Sequence, residues 1–493
     1  MSPPDPQAQP EPTRPDPMLL DPTLPDPALT EYAPMGAAVL TDQARWPTLD
    51  GAGLARVAAL RAHPRAPVWV HATGDRLTAD DQVGLEEAAA RFSGPADDHD
   101  WVAALVARVH ATVPRYRRAA RDGTSGPSTP LADLPTTSRE DLVRDVASFV
   151  PVDVDLTRVL EGSSSGSTGA ALVVPLHPVT LAADLLLVQA LLATEGVRWE
   201  PVDGRLGLVN VVDQRTAFTY ASAMTAFRRV TGADAPLMAR INLDASAWRD
   251  EADRDRFLSE LDPQVVSTST LPLLRLLELG LDLHPVAVVN GATDLPASVR
   301  SAVERRWGCP VLDVYGLTET GPVAASADGS GHVVVGRRVW VEILDAAGRP
   351  VPDGTRGEIV VTVDENPYLP LLRYRTGDHA SLVRDARGTV LVGLEGRAPV
   401  VFVAADGTEH SSIDATQLLQ AYGLAVFHLH QDVDGAVHLE TVALSGDSQG
   451  AADAIARWLT RPVALTTHQQ VSGMGTGKPR RFSSDRTSSD AQR

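Results

Sequence analysis

Between Gly204 and Gly316, short apolar runs alternate with stretches of helical periodicity, and this alternation constrains the fold more than any other feature of the chain. GRLGLVNVV and PQVVSTST are brief and apolar, as buried strands are, and LPLLRLLELG after the second reads as a helix ended by Gly280. VAVVNGA, the helical SVRSAVERRWG and then PVLDVYG repeat the order strand, helix, strand. This order favours α/β layers with parallel strands, because parallel neighbours need a crossover and a helix supplies it. Upstream, DWVAALVARVHATVPRYRRAA has helical spacing, and LAADLLLVQALLA, interrupted by Asp184, reads as a buried helix.

From about Val333 the texture changes. VWVEILDAAGRPV, GEIVVTV and HASLVRDARGTVLVG are hairpin-like and predict a smaller β-rich subdomain. After GLEGR the pattern becomes strand, helix, a hairpin about DVDGA, the helix ADAIARWL and a final strand ending at a lysine turn. At 493 residues the chain exceeds one ordinary core. The expected division is a Pro-rich flexible arm over 1–35, a large N-terminal α/β domain over 36–396, a small mobile α+β domain over 397–482 and a disordered tail over 483–493.

Charge and composition exclude several functions. A formal net charge of −19 argues against a nucleic-acid surface, since phosphate backbones are held by excess Lys and Arg. Cys309 is the only cysteine, which removes disulfide frameworks and cysteine-cluster zinc sites and fits a reducing cytoplasm. MSPPDPQAQPEP has neither the basic nor the apolar region of a secretory signal, and no segment reaches the roughly 20 apolar residues of a membrane span. A cytoplasmic protein with no membrane partner is expected.

Five stretches carry chemistry. EGSSSGSTGA, Glu161 to Ala170, combines flexible glycines with Ser163, Ser164, Ser165, Ser167 and Thr168, whose hydroxyls and backbone N–H groups can converge on an anion. Taken alone, such a run reads equally as a linker, and no Gly-Lys-Ser/Thr makes it a Walker loop. In VLDVYGLTETG, an apolar strand delivers Tyr315, Gly316, Thr318 and Glu319 to its C-terminal end, where ligands of open α/β sheets bind. Tyr315 suits stacking on a flat heterocycle, and Glu319 suits a magnesium ion that already carries phosphate oxygens; a simple turn and a helix-terminal charge are the plain alternatives. In RYRTGD, Asp378 follows a Thr-Gly turn and can accept two hydrogen bonds from a ribose diol. Gly396-Arg397 and the turn GMGTGKPRR complete the set. The turn holds Lys478, the sole lysine among 44 basic side chains.

In this order and spacing, SSSGSTG, YGLTE, YRTGD, GR and GKxxR resemble the adenylate-forming superfamily of acyl-CoA ligases, luciferases and peptide-synthetase adenylation domains, from about residue 100 to residue 482. VHATVPRYRRA and LADLPTTSREDL resemble segments of its phenylacetate-CoA ligase branch. The resemblance implies an ATP-dependent ligase that converts a small, aromatic acid to acyl-AMP with pyrophosphate release and transfers it to CoA. ATP and Mg²⁺ are the implied cofactors, with CoA as acceptor, and a homodimer is common in that branch.

By the same resemblance, Ser164, Ser165, Gly166, Ser167, Thr168 and Gly169 embrace the triphosphate. Gly291, Ala292, Tyr315 and Gly316 surround the adenine, Thr318 lies near the α-phosphate, and Glu319 holds the metal. Asp378 binds the ribose, Arg397 sits near ribose and phosphates, and Lys478 bridges the attacking carboxylate and the α-phosphate. A compact ammonium can touch oxygens on two partners, which a planar guanidinium fork does poorly. VVDQRTAFTYASAMTAF falls where the branch builds its acyl pocket, with Arg215, Phe218 and Tyr220 as lining candidates; core packing and a surface charge are the plain alternatives.

Three departures from the family pattern stand out. The phosphate loop continues Ala170-Ala171-Leu172 instead of Gly-x-Pro. Gly291-Ala292-Thr293 lacks the usual carboxylate. The hinge Gly-Arg-x-Asp reads Gly396-Arg397-Ala398-Pro399, and proline stiffens its own position and the one before it. The last departure favours an alternative, in which adenylation is kept but an amine captures the activated group, or nitrite is activated for N–N bond formation. A non-catalytic nucleotide-binding regulator is the third reading.

Overall fold

A computed structural model describes residues 40–92, 99–164, 172–213, 219–227, 235–396, 400–412, 415, 418–419, 422–424, 426–442, 446–474 and 481–486. It is an α/β protein organised on one large mixed sheet, with a small sheet near the C-terminus. The large sheet has twelve strands. In chain order they are β3 (Leu208–Val212), β4 (Tyr220–Ala223), β5 (Leu237–Asn242), β6 (Val265–Thr268), β7 (Ala287–Gly291), β8 (Val311–Leu317), β9 (Gly321–Ser326), β10 (His332–Val334), β11 (Val339–Leu344), β12 (Arg356–Val363), β13 (Leu371–Asp385) and β14 (Gly388–Glu395). Across the sheet they run β11-β12-β13-β14-β10-β9-β8-β7-β6-β3-β5-β4.

The strands read from the alternating stretch, with β5, form the parallel block β5-β3-β6-β7-β8. Apolar clusters cover both its faces: Val209, Val211, Ile241 and Val266 pack on one side, Leu208, Val265, Ala287 and Leu312 on the other. Burial on both faces explains why these strands read as continuous apolar runs. The helices Thr270–Glu278 and Ala297–Trp307 connect β6 to β7 and β7 to β8.

The hairpin-like region departs from expectation. Its strands do not form a sheet of their own but continue the large sheet, joined through β9 and the three-residue β10 to β14. DWVAALVARVHATVPRYRRAA is helical, as its spacing implies, and divides into two helices, Trp101–Thr112 and Pro114–Arg121. Val113 between them is extended, as the residue before proline tends to be. The helix Pro178–Thr194 is buried as read; its Asp184 accepts a hydrogen bond from the fully buried Arg337 guanidinium at 2.7 Å. Burial raises the Asp184 pKa while Arg337 opposes the rise, so the pair makes an otherwise costly charge tolerable in an apolar helix. Cys309 is buried, and burial pushes its thiol up to about 11.

β1 (Leu160–Ser164) and β2 (Leu172–Leu176) form an antiparallel pair flanking 165–171. Near the C-terminus, β15 (Val401–Val403) pairs with β16 (Glu409–Ser411). Then β17 (Phe427–Gln431), β18 (Val437–Val442), β19 (Val463–His468) and β20 (Phe482–Ser484) form a sheet in the order β19-β18-β17-β20. The hairpin about DVDGA and the helix Ser448–Leu459 match the reading. The closing part does not: a further strand, β20, follows the segment that holds Lys478. Ser483 and Ser484, assigned to a disordered tail, pair in it with His430 and Gln431. Phe482 packs into the core of this unit beside Phe402 and Phe427, which gives three residues too few to show a period a reason to be ordered.

Candidate active site

The carboxyl ends of β7 and β8 gather the residues singled out by sequence. Asn290, fully buried on β7, donates to Asp313 Oδ1 on β8 at 2.6 Å and to the Thr293 carbonyl at 2.7 Å. Those bonds fix the turn after β7, in which Gly291 pairs with Val314 and Ala292 takes a φ of +64°. A left-handed conformation at a residue with a Cβ costs of order 1 kcal/mol and tends to occur where a site needs it.

β8 and β9 are joined directly by the turn carrying Thr318, Glu319 and Thr320, so Glu319 is not a helix-terminal charge. Gly316 is required there, because a Cβ at that position would lie 2.5 Å from the Gly321 carbonyl oxygen. The β1 end of the hydroxyl-rich segment lies against this turn. A Cβ on Gly162 would stand 2.8 Å from Leu176 Cδ1 and 3.0 Å from Thr318 Cγ2, so glycine allows the approach.

RYRTGD lies within the long strand β13 and not in a terminal turn. The chain bulges out: Arg375 pairs with Val360 and His379 with Glu358, so Thr376, Gly377 and Asp378 face Ile359 alone. Gly377 has a φ of +79°. The Thr376 hydroxyl donates to the Ile359 carbonyl at 2.8 Å and accepts from the Asp378 N–H at 3.0 Å. Arg375 pairs with Glu358, whose other oxygen accepts from the Gly377 N–H at 3.2 Å. Each strut holds the bulge that turns Asp378 toward β8.

Two phenol–carboxylate contacts join these strands. Tyr315 donates to Asp378 Oδ2 at 3.0 Å. Tyr374, buried, donates to Glu319 Oε1 at 2.5 Å. Burial, reinforced by the neighbouring carboxylate, raises both phenols above their ordinary range, so each remains a neutral donor. Among the described residues this is the hydrogen bond that holds Glu319, and an oriented, buried carboxylate oxygen fits the needs of a hard divalent cation completed by phosphate oxygens. Tyr374 was not singled out from the sequence. It occupies the second position of RYRTGD, and only the fold places it opposite a residue 55 positions away.

Gly396 lies beside Asp378, since a Cβ there would stand 3.5 Å from Asp378 Oδ1. Arg397 and Pro399 follow it outside the described residues, as do Ser165 to Gly169, Arg215, Phe218 and Lys478; the side chain of Ser164 is likewise undescribed. The segment holding Lys478 is flanked by two contacts with the large body. Met474 packs against the cluster that includes Leu271 and Leu274, and Arg481 pairs with Asp294 at 2.5 Å in the turn that follows Gly291. Tyr220 is not part of this gathering: β4 is an edge strand five places from β8, roughly 24 Å at about 4.8 Å per strand. Its ring meets His71 edge-on at 6.1 Å.

A model of the AMP-binding enzyme family matches residues 199–365. Phenylacetate-coenzyme A ligase of Aromatoleum evansii is 29% identical over 140 residues, covering 26% of this chain and 32% of that protein. The enzyme of the same name from Thermus thermophilus is 26% identical over 303 residues, 57% of this chain and 64% of that protein. These matches span between about a third and two thirds of the relatives' length. The crystal structure of 2-hydroxyisobutyryl-CoA ligase in the postadenylation state with R3-HIB-AMP is alike in fold, with a TM-score of 0.60 at 18% identity, covering 80% of this chain and 91% of that one. No helix among the described residues is long and apolar enough to cross a membrane. The family match runs from the parallel block through β12, and over these parts the chain is similar to AMP-binding enzymes, with the phenylacetate-CoA ligases as distant relatives.

Proposed function

We propose that this protein activates a small carboxylic acid with ATP and transfers the acyl group to coenzyme A. A carboxylate oxygen attacks the α-phosphorus, the bond to the pyrophosphate oxygen breaks, pyrophosphate leaves and acyl-AMP remains bound. A thiolate then attacks the acyl carbonyl and AMP leaves. The observation that carries the reading is the meeting of Gly162, Thr318, Glu319, Tyr315 and Asp378 at one sheet edge in a chain similar to AMP-binding enzymes.

In this reading Tyr315 lies against adenine beside Gly291, Ala292 and Gly316, while Asp378 accepts from the ribose hydroxyls. Ser164 to Gly169 and Thr318 donate to phosphates. Mg²⁺ held at Glu319 would neutralise phosphate charge. The unit from residue 397 through β20 carries Lys478, whose ammonium offsets repulsion between carboxylate and phosphate where charge builds. Arg397 sits at the junction. The relatives' name supports an aromatic acid as substrate.

Ala398-Pro399 favours a second reading, in which domain rotation is restricted and an amine, or nitrite chemistry, replaces CoA. The test is AMP release with ATP, Mg²⁺ and a panel of acids, each with and without CoA, amines and nitrite. Stimulation by CoA on an aromatic acid supports the first reading. Release that ignores CoA but responds to an amine or nitrite supports the second. ATP binding with no AMP or pyrophosphate from any acid overturns both in favour of a regulator.

A further inference from the structure

At the far end of the β17/β18 hairpin lies a cluster that the adenylation reading does not use. His430 on β17 pairs directly across with His438 on β18, and Asp432 begins the turn between them. Asp485 follows β20, and its N–H donates to the Gln431 carbonyl at 2.9 Å. One ligand atom from each of His430, Asp432 and Asp485 lies within 4.8 Å of the others. His430 Nε2 is 2.9 Å from Asp432 Oδ1 and 3.6 Å from Asp485 Oδ2.

The surroundings of the three are also arranged. His430 Nδ1 is 2.7 Å from Ser483 Oγ, which fixes the ring with Nε2 toward the carboxylates, and Ser483 Oγ also meets His428 Nε2 at 2.8 Å. His438 Nε2 is 2.7 Å from Asp432 Oδ2, so the second oxygen of Asp432 is held as well. Partners of this kind orient metal ligands in established sites. One imidazole and two carboxylates suit a borderline divalent cation such as Zn²⁺ or Co²⁺; tetrahedral bonds of about 2.0–2.2 Å place ligand atoms roughly 3.4 Å apart, between the 2.9 and 3.6 Å that separate His430 Nε2 from the two carboxylate oxygens. The guanidiniums of Arg461 and Arg486 lie against Gly435 of the same hairpin, and a cation bound here must outweigh them.

We propose that His430, Asp432 and Asp485 form a divalent transition-metal site, with His438 and Ser483 as positioning residues. The ion would tie β20 to the β17/β18 hairpin. Because β20 starts two residues after 475–480, the ion would fasten the C-terminal flank of the segment that holds Lys478.

The test uses the full chain without an affinity tag, stripped with chelator, and titrated with Zn²⁺ by calorimetry and with Co²⁺ by its visible absorption. The expected result is one ion per chain and a melting temperature that rises with Zn²⁺. His430→Ala should weaken binding by at least tenfold and His438→Ala by roughly tenfold. Asp485→Asn, at an exposed position, should weaken binding without disturbing the fold. His284→Ala, at a separate surface His/Asp cluster, should change nothing. Absence of saturable uptake below 100 μM, as a chosen ceiling of about 5.5 kcal/mol, overturns the site. Uptake unchanged in both His430→Ala and Asp485→Asn does the same.

Discussion

The hydroxyl of Tyr315 donates to Asp378 Oδ2 at 3.0 Å across 63 positions of sequence, linking the end of β8 to the bulge of β13. The bond fixes the tyrosine ring while spending one acceptor site of the aspartate, whose carboxylate has several others. In the proposed complex the same two side chains bind opposite ends of adenosine.

Tyr315→Phe should therefore keep the ring and lose its orientation. A hydrogen bond to a charged group contributes about 1.5–3 kcal/mol. Part of that loss should appear as a KM for ATP raised by roughly fivefold or more, with kcat little changed. Steady-state pyrophosphate exchange over a range of ATP concentrations checks it, and an unchanged KM removes the tie between this bond and nucleotide binding.

Tyr374→Phe leaves Glu319 buried without its donor. Uncompensated burial of this kind costs about 1–3 kcal/mol. The variant should melt several degrees lower and need several-fold more Mg²⁺ for half-maximal exchange. A lower melting point with an unchanged Mg²⁺ midpoint would make Tyr374 purely structural.

Asp294→Ala cuts the ion pair with Arg481. Both partners are partly exposed, so stability should change by less than about 1 kcal/mol. If the pair anchors the segment that holds Lys478, adenylation should nevertheless slow by roughly fivefold or more. Thermal melts run beside pyrophosphate exchange separate the two effects.

Asp75 supplies a pH signature. It accepts from the Thr225 hydroxyl at 2.6 Å, and burial pushes its carboxyl up to about 6 despite that bond. Below about pH 4 the group is protonated in folded and unfolded chains alike. Between about pH 4 and about pH 6 the unfolded chain releases its proton first, so stability falls as pH rises, and it stays lost above that window. The loss is on the order of 2 kcal/mol once screening by partial exposure is allowed for. Denaturant melts across that range should show a downward slope that Asp75→Asn removes.

Much of this was legible in the sequence, for a physical reason. β3, β6, β7 and β8 are buried on both faces and must be apolar throughout, so each is visible as a run. β10 joins the two halves of the large sheet with three residues, too few for any period. The bulge at Gly377 looked like a turn because the same Thr-Gly pair serves both; pairing partners on β12 decide between them. Tyr374 and Glu319 meet only after β8 and β13 are placed, which local patterns do not encode.

The central claim is that the lone lysine acts on a nucleotide held at the Tyr315–Asp378 edge. Pyrophosphate exchange by Lys478→Arg, with the fold checked by circular dichroism, tests it most directly. A normally folded protein whose exchange falls by about 10²-fold or more, the size of a lost transition-state contact, is expected. Exchange close to that of the unmodified chain would contradict it.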